Sequence, residues 1–419
     1  MLRFLAFLGV AVWPLAAQTV LVTPFANVSS PAIPQISNLD WIGESIAETL
    51  REAVASRDLV VLERDDVQEA FRRLRLKGRV ELTDASVLKL GETLDAEQVV
   101  FGTFSFLPAA PTAPPDTKGS LRVTGRIVDR RQLRQSPEFV ETGALEDLPT
   151  LESHLAWRAL TLLDARRAPS EADFRALRPP IRLDAEENYI RGLLTASAEQ
   201  RERYFLQAAR LDPGYAHPCF QLGKILYRRK QFREAAEYLE RVGASDVHYR
   251  EASFVLGLAR FELGDFAAAQ KLFQAIADVV PLGEVLNNLA AAESRRNLPQ
   301  APDDFRKAWE ADPNDPVYHF NLGYALWKHA DYAAGADRFR AVLDRVPDDQ
   351  MATLLLGRCL KKQGPRPGDK TPLEVRLLSA ERMKTNYEER AYRQLKSVLE
   401  SKDSASKDSE SKDSESKRR

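Results

Sequence analysis

Residues 316–349 read PVYHFNLGYALWKHADYAAGADRFRAVLDRVPDD, and the pattern inside that stretch recurs through the second half of the chain. Its tetrapeptide NLGY at 321–324 aligns with QLGK at 221–224, VLGL at 255–258, NLAA at 288–291 and LLGR at 355–358. The second residues, Leu222, Leu256, Leu289, Leu322 and Leu356, follow one another at intervals of 34, 33, 33 and 34 residues. Ala235, Ala269, Ala301 and Gly335 recur in the same register, and Pro281, Pro313 and Pro347 fall at the repeat ends. Three positions sharing one period point to stacked helical hairpins, each too small to bury its apolar face alone. Gly223, Gly257 and Gly323 let the first helix of a hairpin approach the second; Phe273, Phe305 and Phe339 fill the space between repeats, and the prolines stop the second helix. An earlier unit, ENYIRGLLTASAEQRERYFLQAARLDP at 187–213, has a shortened turn and ends on Asp212-Pro213. The expectation is an all-α solenoid over 185–364, with five full repeats from Ala185 to Asp348 and a lone helix reaching Gln363.

This register resembles the tetratricopeptide repeat, a helix-turn-helix unit of about 34 residues. The resemblance implies that the first helix of each unit lines a concave face. Carried onto this sequence, the family's groove positions fall on Phe220, Lys224, Tyr227 and Arg228, on Phe254 and Phe261, and on Phe320, Tyr324, Trp327 and Lys328. An aromatic row flanked by bases suits an extended peptide, or a partner helix with apolar anchors and some negative charge. A protein or peptide partner is therefore expected. Past the last repeat, GPRPGDKTP at 364–372 leads into Thr371-Pro372-Leu373-Glu374, a capping box with proline at the first helical position. Ala380, Met383, Tyr387, Ala391, Leu395 and Val398 share one face of a helix, so residues 371–400 are expected as a helix that caps the solenoid. The last residues, SKDSASKDSESKDSESKRR at 401–419, carry too little apolar surface to fold and are expected to be disordered.

Upstream of the repeats the periodicity changes. Val20–Val22, Leu59–Leu62, Val99–Phe106 and Leu121–Val128 read as strands, while Ile42, Ile46, Leu50 and Val54 make an i+4 stripe. Short helices are expected over 65–74 and 87–94, the second capped by Thr83 or Asp84, and a longer one over 148–163. AAPTAPPDTKG at 109–119 is a hairpin loop, because its prolines cannot donate ladder bonds. Strands interspersed with helices imply an α/β sandwich domain over 18–165. A linker over 166–184 follows, broken by Pro179-Pro180. In order, VLVTPFANVSS (20–30), LDWIGESIAETLREAV (39–54), LVVLERDDV (59–67), LGETLDAEQVVFGTFSF (90–106) and LRVTGRIVDRR (121–131) resemble the TolB amino-terminal-like domains. That family has no catalytic chemistry of its own, so the resemblance implies a recognition or assembly module. Pro24, Asn27 and Gly43 read as residues that shape turns and caps.

The opening MLRFLAFLGVAVWPLAAQ has the layout of a secretory signal peptide over 1–17, cleaved after Ala17. Its apolar run from Phe4 to Ala17 is 14 residues, short of the roughly 20 that span a bilayer. No integral membrane span is expected in the mature chain. The expected location is outside the cytoplasm: periplasmic, with outer-membrane association or secretion as alternatives. Sixty basic and 61 acidic residues leave a net charge of −1, which argues against a nucleic-acid partner. Phosphate-cradling glycine loops are missing, and His154, His217, His248, His319 and His329 include no H-E-x-x-H pair, so neither cofactor nor metal is expected. Ser86-Val87-Leu88-Lys89 fits S-x-x-K but lacks the companion motifs of a serine nucleophile. Cys219 and Cys359 lie several units apart and read as buried thiols. These readings combine into a non-catalytic exported scaffold or adaptor: the groove holds a protein or peptide, and the α/β domain docks on a second cell-envelope component. The alternative is an envelope sensor whose α/β domain binds a small ligand and whose solenoid relays occupancy.

Overall fold

A computed structural model describes residues 19–400 except 32, 34–35, 58, 77–79, 110–118 and 167. The expected signal segment, the tip of the proline-rich loop and the 401–419 tail lie outside the described residues. Among those residues, seven strands form one mixed sheet. Strand β1 (Thr19–Val22) lies parallel to both β3 (Val60–Val61) and β4 (Gln98–Leu107), and β2 (Ala26–Asn27) continues β1 alongside β4. Strand β5 (Ser120–Asp129) runs antiparallel to β4 over its whole length, from Gln98↔Asp129 to Leu107↔Ser120. The far edge is closed by β6 (Arg134–Gln135) and β7 (Phe139–Ala144).

The period-2 alternation of the strands sorts the core into two layers. Val20, Val22, Val100 and Phe104 face helices α1 (Trp41–Ala55) and α4 (Leu148–Leu163). Leu21, Val99 and Phe101 face α2 (Arg64–Arg73) and α3 (Asp84–Thr93). The stripe Ile42, Ile46, Leu50 and Val54 is buried against the sheet. Helix α1 starts unusually close to the strand end. Phe25 N donates to Gly43 O at 3.0 Å, and a Cβ on Gly43 would stand 2.0 Å from Phe25 O. Asn27 Nδ2 donates to Asp40 Oδ1 at 3.1 Å while its Oδ1 accepts from Ser29 N, so Asn27 ties the turn to the start of α1. Thr83 caps α3 by accepting from Ser86 N.

After a short helix α5 (Glu171–Ala176), which buries Phe174 where the sequence reads only as linker, the chain forms antiparallel helix pairs. They are α6 (Leu183–Leu194) with α7 (Ala198–Leu211), α8 (Ala216–Arg228) with α9 (Phe232–Leu239), α10 (Tyr249–Glu262) with α11 (Phe266–Ala277), α12 (Gly283–Arg295) with α13 (Ala301–Ala311), and α14 (Pro316–Lys328) with α15 (Tyr332–Leu343). A single helix, α16 (Gln350–Leu360), follows. Asp265, Asp315, Asp331 and Asp349 cap four of these helices through their carboxylates. A Cβ on Gly257 would sit 2.8 Å from the Phe273 ring, which is why this position takes no side chain. Tyr189 and Phe205 of the first pair share one hydrophobic cluster with Leu155 and Ala159 of α4, so the α/β unit and the solenoid have a continuous core.

The C-terminal stretch differs from the single capping helix expected over 371–400. Helix α17 spans only Pro372–Leu377, residues 380–388 have no regular structure, and the chain is helical again at 389–400. Leu377 packs beside Leu355 and Cys359 at the end of the solenoid. Glu374 does not close a capping box; it pairs with the buried Arg358 of α16. Both cysteines are free and buried. Among the described residues, no helix is long and apolar enough to cross a membrane.

Candidate functional site

The first helices of successive pairs, α8, α10, α12, α14 and α16, stand side by side. Residues 377–393 cross them in the direction opposite to the repeat order. Tyr324 Oη donates to Leu377 O at 2.7 Å. Asn321 accepts from Arg382 N at 2.9 Å and donates to Arg382 O at 2.7 Å, and Asn287 donates to the same carbonyl at 2.9 Å. Asn288 accepts from Lys384 N and donates to Lys384 O, both at 2.8 Å. The three carboxamides also bond one another, Asn321 to Asn287 at 2.7 Å and Asn287 to Asn288 at 3.1 Å. All three are fully buried, and each uses both its donor and its acceptor. Residues 382 and 384 present the same backbone edge because alternate residues of an extended chain do so. The asparagines thereby take the amide and carbonyl groups that a helix through 380–388 would need for its own ladder.

Side chains of the segment are also engaged, although Glu381 Oε2 and Tyr387 Oη are buried without a hydrogen-bond partner among the described residues. The Glu381 side chain is fully buried, accepts from Ser294 Oγ at 2.7 Å, and lies 3.5 Å from Arg295 and 3.7 Å from Lys328. Burial depresses the Lys328 ammonium pKa, although Glu381 opposes that shift. Arg382 forks onto Asp349 at 2.7 and 2.9 Å and lies 3.4 Å over the Phe320 ring. Burial would raise the Asp349 carboxyl, but the hydrogen bond and charge of Arg382 hold it below its usual range. Lys384 pairs with Asp315 at 2.6 Å, and Tyr387 packs on Phe254 with ring centroids 5.3 Å apart. Arg250 pairs with Glu389 at 2.6 Å and covers Tyr392. At the far end Arg393 donates to Ala55 O, on the last turn of α1.

Of the groove positions chosen from the sequence, Phe254, Phe320, Tyr324 and Lys328 meet this segment. Phe220, Lys224 and Arg228 lie beyond its end and line a cavity of about 600 Å³ with Arg51, Glu63 and Arg393, between the α/β unit and the second helix pair. Lys224 pairs with Glu251 there. Tyr227 packs on Phe232 within its own repeat, and burial raises its hydroxyl to about 12. Phe261 packs on Phe266, and Trp327 donates to Gln363 O at 2.8 Å, in the turn after α16. The repeat register does not single out the asparagines, although Asn288 and Asn321 open the tetrapeptides NLAA and NLGY. The S-x-x-K pair is spent on helix contacts: Ser86 N binds Thr83 Oγ1 at 3.3 Å and Lys89 pairs with Glu92 at 2.8 Å.

Residues 220–281, 254–316 and 320–364 match the family model described as the tetratricopeptide repeat. Residues 220–364 carry tetratricopeptide repeats. Solved structures with similar repeats include a MamA fragment from Desulfovibrio magneticus RS-1, at 21% identity over 40% of this chain and 95% of that one, with a TM-score of 0.36. YrrB, described as a tetratricopeptide repeat protein with an unusual peptide-binding site, is 18% identical over 41% of this chain and 91% of its own, with a TM-score of 0.38. The C-terminal part of a repeat protein from Cytophaga hutchinsonii is 13% identical over 50% and 86%, with a TM-score of 0.34. No curated protein matches the chain.

Proposed function

We propose that this protein is a non-catalytic exported scaffold whose tetratricopeptide repeats hold an extended segment of a partner protein, while the α/β unit docks on a second cell-envelope component. The observation that carries this reading is the asparagine ladder. Three buried carboxamides committed to main-chain amides and carbonyls recognise an extended backbone whatever its side chains. The pocket made by Ser294, Arg295 and Lys328 then selects an acidic residue at one position. Residues 380–388 are the resident occupant, and a partner competes with them for the same bonds. Export rests on the signal-like residues 1–17, and the docking role rests on the resemblance of residues 20–140 to TolB amino-terminal-like domains.

The test uses the full chain carrying Glu381→Arg, which places a third cation against Arg295 and Lys328 and expels the segment. A labelled peptide of residues 378–396 should bind that variant and fail to bind the unsubstituted chain at the same concentration. Adding Asn288→Ala and Asn321→Ala should abolish the binding. A peptide that binds neither protein, or binds regardless of the asparagines, would sink the groove reading.

The sensor reading is favoured by one feature, the cavity at the α/β–solenoid seam with Arg51, Arg64, Lys224 and Arg228 facing Glu48 and Glu63. Its size suits a small charged ligand. Small-molecule binding that survives the asparagine substitutions would select that alternative.

A further inference from the structure

At the same seam three donors from three elements converge. Glu52 comes from the last turn of α1, His217 from the first turn of α8, and His248 stands at the N-cap of α10. One ligand atom from each lies within 4.8 Å of the other two. Donors held tetrahedrally about 2.1 Å from an ion stand roughly 3.4 Å apart, so small rotations of three side chains would close the set.

Two observations set this cluster apart from an ordinary ion pair. His217 Nδ1 and His248 Nε2 are buried and have no hydrogen-bond partner among the described residues. Glu52 Oε1 lies 2.9 Å from His217 Nδ1, but out of line for an N–H···O bond. The other nitrogen of His217 is already committed, because Asp246 Oδ2 stands 3.3 Å from Nε2. Asp246 there accepts a hydrogen bond from Nε2–H and turns Nδ1 toward Glu52; the two flanking carboxylates favour a charged ring, so an ion at Nδ1 would take the place of its proton. Asp246 is itself held by His248 N at 2.8 Å. Both rings are fixed by packing: His248 stacks on Phe220 at 4.6 Å and 10°, and His217 sits 5.1 Å from Tyr215. Glu48, one turn earlier on α1, is engaged by Arg51 and is not a ligand. Cavities of about 600 Å³ flank the cluster; Glu52 lines both, His248 one and His217 the other, so an ion has a path and a fourth position for water.

We propose that Glu52, His217 and His248 bind a zinc-class divalent ion that pins the end of α1 to the second and third repeats. Two imidazoles and one carboxylate are the donor set Zn²⁺ accepts with an open fourth position, whereas Ca²⁺ and Mg²⁺ take oxygen donors. The ion would also hold α1 where Arg393 reaches Ala55 O, joining the α/β unit, the solenoid and the C-terminal helix at one point. This inference is independent of what the groove binds.

The experiment uses the full chain without added histidines, stripped with a chelator. Zn²⁺ is titrated in competition with a chromophoric chelator, and Co²⁺ is followed by its visible absorption. One equivalent should bind, with Co²⁺ bands of a low-coordinate nitrogen–oxygen site. Glu52→Gln and His248→Gln should each weaken binding by about 100-fold, and Asp246→Asn, which touches no metal, by about 10-fold. Circular dichroism must show the native helix content in each variant; Asp246→Asn keeps the test open if a ligand variant misfolds. Failure to bind near one equivalent at about 10 μM Zn²⁺, or an equivalent that all three variants retain, would overturn the proposal.

Discussion

The face of the repeats beneath residues 377–393 and the α/β–solenoid seam both bury polar groups but differ in how far these are satisfied. The first is not complete either, since Glu381 Oε2 and Tyr387 Oη of the segment also have no hydrogen-bond partner among the described residues. In the groove, Asn287, Asn288 and Asn321 have every donor and acceptor engaged, largely by the backbone of residues 382 and 384. At the seam, His217 Nδ1, His248 Nε2, Glu152 Oε1 and Glu186 Oε2 are buried without a hydrogen-bond partner among the described residues. Neutral amides can be saturated by a peptide chain, which offers one donor and one acceptor per residue. The carboxylates and imidazoles at the seam face one another rather than a peptide chain, and they share protons or form ion pairs. The repeat face is covered by residues 377–393, whereas the seam groups face one another and two cavities.

The strongest way to break the contrast is to remove what completes the groove. A chain ending at Ser379 uncovers Phe254, Phe320 and the asparagine ladder and loses the buried Tyr392. The five asparagine-to-backbone bonds at about 1 kcal/mol each, with the lost apolar burial, offset the entropy of ordering the segment, so a net loss of about 3–5 kcal/mol is expected in urea denaturation. An environment-sensitive hydrophobic dye should bind the shortened chain and not the full one. Unchanged stability and no dye binding would mean that the segment does not close the groove.

A single substitution sharpens the same point. Asn321→Ala removes both bonds to Arg382 and strands the Asn287 carboxamide oxygen in a buried site. The expected cost is about 2 kcal/mol by chemical denaturation, because unsatisfied buried groups forfeit their solvation. A cost below about 0.5 kcal/mol would show that water replaces the side chain and that the ladder is not a rigid recognition device.

Much of the solenoid was legible because its cause is local and repeated. Leu222, Gly257 and Phe339 each answer to a neighbour at a fixed offset in the chain, so one period exposes them all. The groove occupant was not legible. Ala380, Met383, Tyr387, Ala391, Leu395 and Val398 do make a helical stripe, and nothing in residues 371–400 announces that asparagines some 60 to 100 residues away will claim the backbone of its middle. Trp327 and Tyr227 satisfied the groove register, yet their side chains are spent on Gln363 and Phe232. Strand β7 carries no alternating signal, because Phe139 is its only fully buried residue. The seam cluster fell outside any local motif. His217 and His248 stand in successive repeats and Glu52 in another domain, so the absence of H-E-x-x-H had no bearing on it.

The smallest expected effect tests the seam without touching the histidines. Ser45 Oγ donates to Glu152 at 3.3 Å and to Glu186 at 3.0 Å, and Thr49 donates to Glu152 at 2.9 Å. Burial, and for Glu152 the neighbouring Glu186 charge, raises both carboxyl pKa values, so one of the pair holds a proton where exposed carboxyls have lost theirs. A raised folded-state pKa means that the unfolded chain releases its protons first as pH climbs. The stability contributed by the neutral pair is therefore complete below the ordinary carboxyl range and is lost as pH rises through the folded values. Glu152→Gln cannot ionise and keeps a similar shape. Its stability relative to the unsubstituted chain should rise between pH 5 and pH 8, by on the order of 1 kcal/mol in paired denaturation curves. Groups whose folded values are depressed, such as Asp246 at about 2, titrate alike in both proteins and cancel in that difference. A difference that does not change with pH would mean that the carboxyls are ionised and solvated, and the seam would then be satisfied by water rather than waiting for a proton or an ion.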